Sequence, residues 1–269
     1  LELPHLDDFA PTGTGKSPLA RAEEWVSTEV PGTDAAATRE LDTMPGSAGS
    51  SAYFLRFIDP KNDQALVDPQ KAKRWMPVDL YLGGAEHAVG HLLYSRFWTK
   101  FLYDIGVCPV DEPYAKLVNQ GMILGEDHRK MSKRFGNVVD PLDVLADQGA
   151  DSLRAYERFM GPIEADKPWS TGGLMGARRF LDRVWRLFFD EDDQLRNFDA
   201  VATDDQRRIL HRTIAKVDSD TESLSFNTAI SQMMTFVNEI TASETRPREI
   251  LEPFCLLLSP YAPHLAEDL

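Results

Sequence analysis

"VDLYLGGAEHAVGHLLYSRFWTKFLYDIG", residues 78–106, decides the fold class. Val78 to Leu82 has strand-like apolar content and runs into the paired glycines Gly83 and Gly84. From Ala85 onward the apolar residues Val89, Leu92, Leu93, Phe97, Phe101 and Leu102 recur at helical spacing, and Gly106 stands where a helix stop belongs. A second strand-like run, "YAKLVNQGMILG" (114–125), follows. Strand, glycine turn, helix and strand in that order is the rhythm of a parallel α/β sheet.

Outward from this unit the character changes on both sides. Residues 1–50 are rich in Pro, Gly, Ser and Thr and read as an irregular lead-in or the exit from an inserted domain, with brief periodicity at "SPLARAEEWV" (17–26). The chain begins at Leu1, and its first stretch reads like the interior of a longer polypeptide. "SAYFLRFID" (51–59) fits a short helix or strand. Downstream, Asp140-Pro141 supplies a cap and a first-turn proline, "DPLDVLADQG" ends at Gly149, and "ADSLRAYERFMGP" closes at Gly161-Pro162. From about residue 171, four amphipathic stretches joined by short polar links predict a helical bundle, the last being "RPREILEPFCLLLSPYAPHLAEDL". The division between the two parts is placed at residues 172 and 173.

With 269 residues, 42% of them hydrophobic, the chain can bury a sizeable core. Its net charge of -14 argues against a protein that coats nucleic acid non-specifically, because phosphate neutralisation needs surplus Lys and Arg. A local anion site stays open. Cys108 and Cys255 belong to no C-x-x-C and read as reduced thiols of a cytosolic protein. No apolar run approaches a membrane span, which needs roughly 18 residues or more.

Three stretches carry chemistry. "EDHRKMSKRFGN" (126–137) packs four basic residues into Arg129 to Arg134. Lys130 and Lys133 flank Met131-Ser132, and ammonium groups on a loop can follow a phosphate chain whose charge moves during reaction. The plainer reading is a solvated basic turn. "GGAEHAVGH" (83–91) offers paired glycines where a ligand can approach the backbone, with a helix N-terminus behind them. His87 and His91 at i, i+4 admit a zinc reading, but Ala88 stands where H-E-x-x-H needs glutamate. "TMPGSAGSSAYF" (43–54) is a turn or a pocket wall of small residues. "PTGTGKS" (11–17) ends like a phosphate loop but has its glycines two apart and no strand before it.

Taken together, "KMSKR" (130–134), "VDLYLGGAEHAVGHLLYSRFWTKFLYD", "LVNQGMILG" and "KMSKRFGNVVDP" resemble the bacterial leucyl-tRNA synthetases, a branch of the class I aminoacyl-tRNA synthetases. "GARRFLDRVWRLF" and "FNTAISQMMTFVN" extend the likeness through the helical part. The resemblance implies a Rossmann-like α/β catalytic portion over 1–172, with the signature loop and helices that contact the tRNA stem, then an all-α anticodon-binding-type bundle over 173–269. It implies ATP-dependent activation of leucine and transfer to tRNA(Leu) in the cytoplasm, with Mg2+ accompanying ATP and no protein-bound zinc.

The resemblance also assigns residues. Lys130 and Lys133 become catalytic, and Gly83, Gly84, Glu86, His87, Gln120, Met122, Met131, Ser132 and Lys133 would bind ATP and adenylate. Glu86 would hold the ribose hydroxyls, Met131 would lie near the adenine, and Ser50, Tyr53 and His91 would line the leucine pocket. The His-x-Gly-His signature and the editing domain are absent from these residues, and Arg134 stands where the family has Ser. The chain is therefore expected to be catalytically incomplete alone and to need the N-terminal part of the enzyme, in the same polypeptide or as a separate subunit. Ser47 and Ala52, in places that carry large aromatics in related sequences, motivate an alternative: a synthetase-like paralogue that binds nucleotide or tRNA without aminoacylation.

Overall fold

The computed structural model describes residues 2–11, 13–42 and 47–269. Residue 12 of "PTGTGKS" and residues 43–46 of the Gly/Ser-rich stretch lie outside the described residues. The chain forms two compact units, one of residues 1–80 and 86–116, the other of residues 81–85 and 117–269. They differ from the linear division at residue 172, because the chain leaves and re-enters each unit around the strand at 81–84.

In the first unit a short helix, α1 (Glu23–Val26), leads into an antiparallel hairpin of β1 (Ser27–Glu29) and β2 (Ala36–Thr38). "SAYFLRFID" is helical, as part of α2 (Ser47–Ile58). Asp68 caps α3 (Pro69–Trp75), its side chain accepting from the Gln70 and Lys71 amides at 2.9 and 3.0 Å. The core of this unit is Phe54, Leu55, Val67, Ala72, Met76, Leu102 and Cys108.

Residues 85–104 are helical throughout but not uniformly. A 3-10 turn (Ala85–His87) and a π-helical turn (Ala88–Leu92) precede α4 (Leu93–Asp104), and Gly106 follows at φ 76°. The face of α4 that packs inward differs from the apolar stripe expected. Ser95, Thr99 and Leu102 are buried, and Ser95 Oγ accepts from the Tyr114 hydroxyl at 2.9 Å. Val89, Leu93, Phe97 and Phe101 are exposed, Val89 by 84%. Small hydroxylated residues let α4 approach its neighbours closely, whereas the bulky stripe of the same amphipathic helix is left on the outside.

The second unit contains β3 (Tyr81–Gly84) paired in parallel with β4 (Leu117–Gln120). A further parallel pair joins β5 (Ile123–Leu124) to β6 (Lys167–Pro168). Asp140 caps α5 (Pro141–Gln148), accepting from the Leu142 amide at 2.9 Å, and Gly149 at φ 82° turns the chain into α6 (Ala150–Phe159). The bundle is built from α7 (Thr171–Phe188), α8 (Asp204–Glu222) with a Thr203–Gln206 capping box, and α9 (Phe226–Ala242). The single closing helix read from "RPREILEPFCLLLSPYAPHLAEDL" is two, α10 (Arg248–Leu258) and α11 (Pro263–Asp268). Pro263 forces Ala262 out of helical geometry (φ -136°, ψ 74°) and breaks the run. Phe236 and Phe254, both fully buried, stack at 4.3 Å in the bundle core. Cys108 and Cys255 are free thiols.

Candidate functional site

The basic stretch is a pinned hairpin loop rather than a loose turn. Leu124 and Lys130 form an antiparallel bridge, and the Gly125 amide donates to the Arg129 carbonyl at 2.9 Å. His128 (φ 60°) and Gly136 (φ 63°) take the left-handed turns the loop needs. At its base, Glu126 accepts from the Thr171 amide at 3.0 Å and the Thr171 hydroxyl at 2.9 Å, which ties the loop to the start of α7 and lowers the Glu126 pKa. Asp127 accepts from Asn137 Nδ2 at 3.1 Å and from Arg129 Nε at 2.8 Å. These hydrogen bonds, Asn137 foremost, hold its carboxyl down at about 2. The Arg129 guanidinium also lies 4.6 Å over the Phe135 ring.

Arg129 is thus occupied, and the other cations of the loop are not. Among the described residues, Lys130, Lys133 and Arg134 are exposed and enter no salt bridge, while Arg129 pairs with Asp127 at 2.7 Å. Ser132 is half-buried and caps the 3-10 turn Lys133–Phe135, its Oγ accepting from the Arg134 amide at 3.3 Å. Met131 points inward and packs against the helical core of the second unit. That placement anchors the loop, and the half-buried side chain keeps part of its surface exposed.

Also in the second unit, β-pairing sets Gly83 beside Asn119 and Gly84 beside Gln120. An added Cβ at Gly83 would meet nothing within 4 Å, so its backbone is open to a ligand. Gly121, by contrast, lies against the Ala165 backbone, and its amide donates to the Ile163 carbonyl at 2.9 Å. The Met122 amide donates to Asp166 Oδ1 at 2.6 Å and its carbonyl accepts from the Lys167 amide at 2.9 Å. The strand end carrying Gln120 and Met122 is therefore rigid, with Gln120 exposed and Met122 half-buried.

In the first unit, Glu86 and His87 occupy the exposed 3-10 turn, and His91 lies half-buried in the π-helical turn. Single π-helical turns cluster at functional sites. The His91 ring stands 6.5 Å from the Tyr53 ring, so two of the three expected leucine-pocket residues are brought together. Ser50, one turn earlier on α2, is exposed and donates to the Ser47 carbonyl at 3.0 Å. Burial, and secondarily His87, lowers the His91 pKa. An NMR titration should place its midpoint below 6.5, and His87→Ala should raise it partway back. Since the unfolded chain binds this proton more readily, the contribution of His91 to stability is present above its unfolded pKa and lost as pH falls through the folded one. A midpoint at or above 6.5 would contradict the geometry. Among the described residues no group of three His, Cys, Asp or Glu side chains gathers where a metal could be held.

The family described as tRNA synthetases class I (I, L, M and V) matches residues 61–168, and the family described as anticodon-binding domain of tRNA ligase matches residues 207–269. This chain carries a class I tRNA synthetase domain followed by the anticodon-binding domain of a tRNA ligase. The leucine--tRNA ligase of Leptospira biflexa serovar Patoc is 55% identical over the whole chain, which spans 31% of that relative's length. Among solved structures, the ternary complex of Agrobacterium radiobacter K84 agnB2 LeuRS-tRNA-LeuAMS is similar at 36% identity and a TM-score of 0.75, over 94% of this chain and 34% of that one. Mycobacterium tuberculosis methionyl-tRNA synthetase bound by methionyl-adenylate shares the fold at 17% identity and a TM-score of 0.53, over 78% of this chain and 46% of that one. The synthetase domain match contains the basic loop, Gly83, Gly84, Glu86, His87, His91, Gln120 and Met122, whereas Ser50 and Tyr53 precede it. Sequence reasoning passed over Asp127 and Asn137, although Asp and Asn flanking glycine turns are a known signal of side chain to backbone bonding.

Proposed function

We propose that this chain is the part of a leucine--tRNA ligase that handles the phosphates of ATP and one side of leucyl-adenylate, and that its helical bundle binds tRNA(Leu). The observation that carries this reading is the pinned loop, whose exposed Lys130 and Lys133 have no salt-bridge partner among the described residues. The identity of 55% to a leucine--tRNA ligase supports the choice of amino acid. In the first step a leucine carboxylate oxygen attacks the α-phosphorus of ATP. The bond from that phosphorus to the bridging oxygen breaks, and pyrophosphate leaves. In the second step a ribose hydroxyl of the terminal tRNA adenosine attacks the leucyl carbonyl and AMP departs.

No covalent enzyme intermediate is needed, so catalysis consists of positioning and electrostatic stabilisation. Lys130 and Lys133 would neutralise the charge that builds on the β and γ phosphates, with Mg2+ arriving on ATP. Gly83, Gly84 and Gln120 would admit the adenosine closely, Glu86 would accept from the ribose hydroxyls, and His87 would lie against the nucleoside. Ser132 and Met122 would shape the nucleotide side, and Ser50, Tyr53 and the neutral His91 would line the leucine pocket. Functionally, residues 1–172 would form the catalytic portion and residues 173–269 the anticodon-binding bundle. A cytoplasmic setting fits this role, and no helix among the described residues is long and apolar enough to cross a membrane.

The exposed stripe Val89, Leu93, Phe97 and Phe101 supports a further partner: the catalytic portion of the ligase that this chain does not span, in the same polypeptide or a separate subunit. Parallel strands are ordinarily covered on both faces, and among the described residues β3–β4 is a two-stranded pair. Residues 1–269 alone are expected to show no leucine-dependent ATP–pyrophosphate exchange, and co-expression with the remaining portion of the Leptospira biflexa enzyme should restore it. Phe97→Glu should block that restoration without lowering the melting temperature of residues 1–269. Robust exchange by this chain alone, or full restoration with Phe97→Glu, would sink the assignment.

A further inference from the structure

We infer that Asp127 and Asn137 are positioning residues, a clip that holds the backbone of the basic loop so that Lys130 and Lys133 present their ammonium groups from fixed points. The inference rests on the reading of those lysines as phosphate ligands. One side chain, Asn137, bonds the backbone on both sides of Met131: its Oδ1 accepts from the Ser132 amide at 2.9 Å and its Nδ2 donates to the Lys130 carbonyl at 3.4 Å. The same Nδ2 donates to Asp127 Oδ1 at 3.1 Å. Asp127 in turn fixes the leading edge, accepting from the Arg129 amide at 3.1 Å. Directly beneath, Gly125 leaves the room the clip occupies, since a Cβ there would stand 2.7 Å from Asp127 Oδ1 and 2.8 Å from Asn137 Nδ2.

This chemistry selects the residue types. Position 137 must accept from one backbone amide and donate to a carbonyl and a carboxylate at once, which a carboxamide does and a carboxylate cannot. Aspartate at 137 would set two carboxylates about 3 Å apart with no proton between them, and like charges that close repel strongly. With the backbone clipped and Met131 packed inward, the loop loses little freedom when a polyphosphate arrives, whereas the long lysine stems stay free to follow it.

The test uses residues 1–269 with two readouts: the rate of trypsin cleavage after Lys130, Lys133 and Arg134, and the affinity for inorganic tripolyphosphate by titration calorimetry. Asn137→Asp should raise the cleavage rate by about tenfold and weaken tripolyphosphate by about tenfold, as expected when preorganisation is lost. The exchanged pair Asp127→Asn with Asn137→Asp restores one donor facing one carboxylate and keeps the bond to the Ser132 amide. It should recover both readouts only in part, because a carboxylate at 137 cannot donate to the Lys130 carbonyl and Arg129 loses its carboxylate partner, but even partial recovery is more than a merely structural defect would show. Lys133→Ala should weaken tripolyphosphate without speeding cleavage after Lys130. Unchanged cleavage in Asn137→Asp, or no recovery in the exchanged pair, overturns the clip. Normal clip behaviour in cleavage with no tripolyphosphate bound by the parent overturns the phosphate role of the lysines and leaves a loop anchor only.

Discussion

Lys133→Ala, in the chain completed by the rest of the ligase, is expected to lower the maximal rate of leucine-dependent ATP–pyrophosphate exchange by roughly a hundred- to a thousand-fold, the range seen when one preorganised charge-stabilising group is removed. The argument is electrostatic. Charge on the β and γ phosphates grows as pyrophosphate separates, and an ammonium that pairs with no carboxylate among the described residues can spend its whole interaction on that charge. Lys133 is exposed and makes no salt bridge among the described residues, so its truncation removes no contact the fold relies on. The melting temperature should therefore stay within a degree or two, as for other surface substitutions. Lys133→Arg should recover part of the rate, because charge returns but the compact donor geometry does not. A loss below about threefold, or a loss accompanied by unfolding, would be incompatible with a transition-state role.

Gly121→Ala is expected to destabilise the second unit by about 3 kcal/mol, the upper range for inserting atoms into packed space. The added Cβ would stand 2.2 Å from both the carbonyl carbon and oxygen of Ala165 and 2.6 Å from the Asp166 nitrogen. All three are backbone atoms, so no side chain can swing aside. The crossing of the two segments is held by hydrogen bonds from the Gly121 amide to Ile163 and from the Met122 amide to Asp166, and both would have to lengthen. Thermal unfolding followed by circular dichroism provides the measurement. Gly83→Ala is the comparison: its Cβ meets nothing within 4 Å, so stability should hold while nucleotide affinity falls. Equal melting of Gly121→Ala and the parent would refute the steric argument.

Much of the architecture was legible in residues 78–125, because periodicity and glycine placement are local signals. The helix stop at Gly106 and the caps at Asp140 and Gly149 follow from short-range chemistry, and the order strand, helix, strand made the parallel pairing of β3 and β4 the expected one. Which face of α4 packs was not legible. Leu93, Phe97 and Phe101 look like a core stripe, and a period alone does not say whether that stripe meets this chain or something else. The break between α10 and α11 had a visible cause in Pro263, whose effect on Ala262 the amphipathic pattern concealed.

For the basic loop the division is sharper. The amino-acid order by itself determined that four cations crowd a glycine-bounded turn, that paired glycines end a strand, and that the whole resembles a leucine-activating synthetase. Only the tertiary structure decided which of those cations remain without an ion partner. Arg129 is taken up by Asp127 and Phe135, while Lys130 and Lys133 stay exposed on a backbone held by Asn137. Composition counts charges, but whether a charge is satisfied depends on atoms a few ångströms away. Those partners come from positions two to ten residues along the chain and, at Glu126 and Thr171, from forty-five.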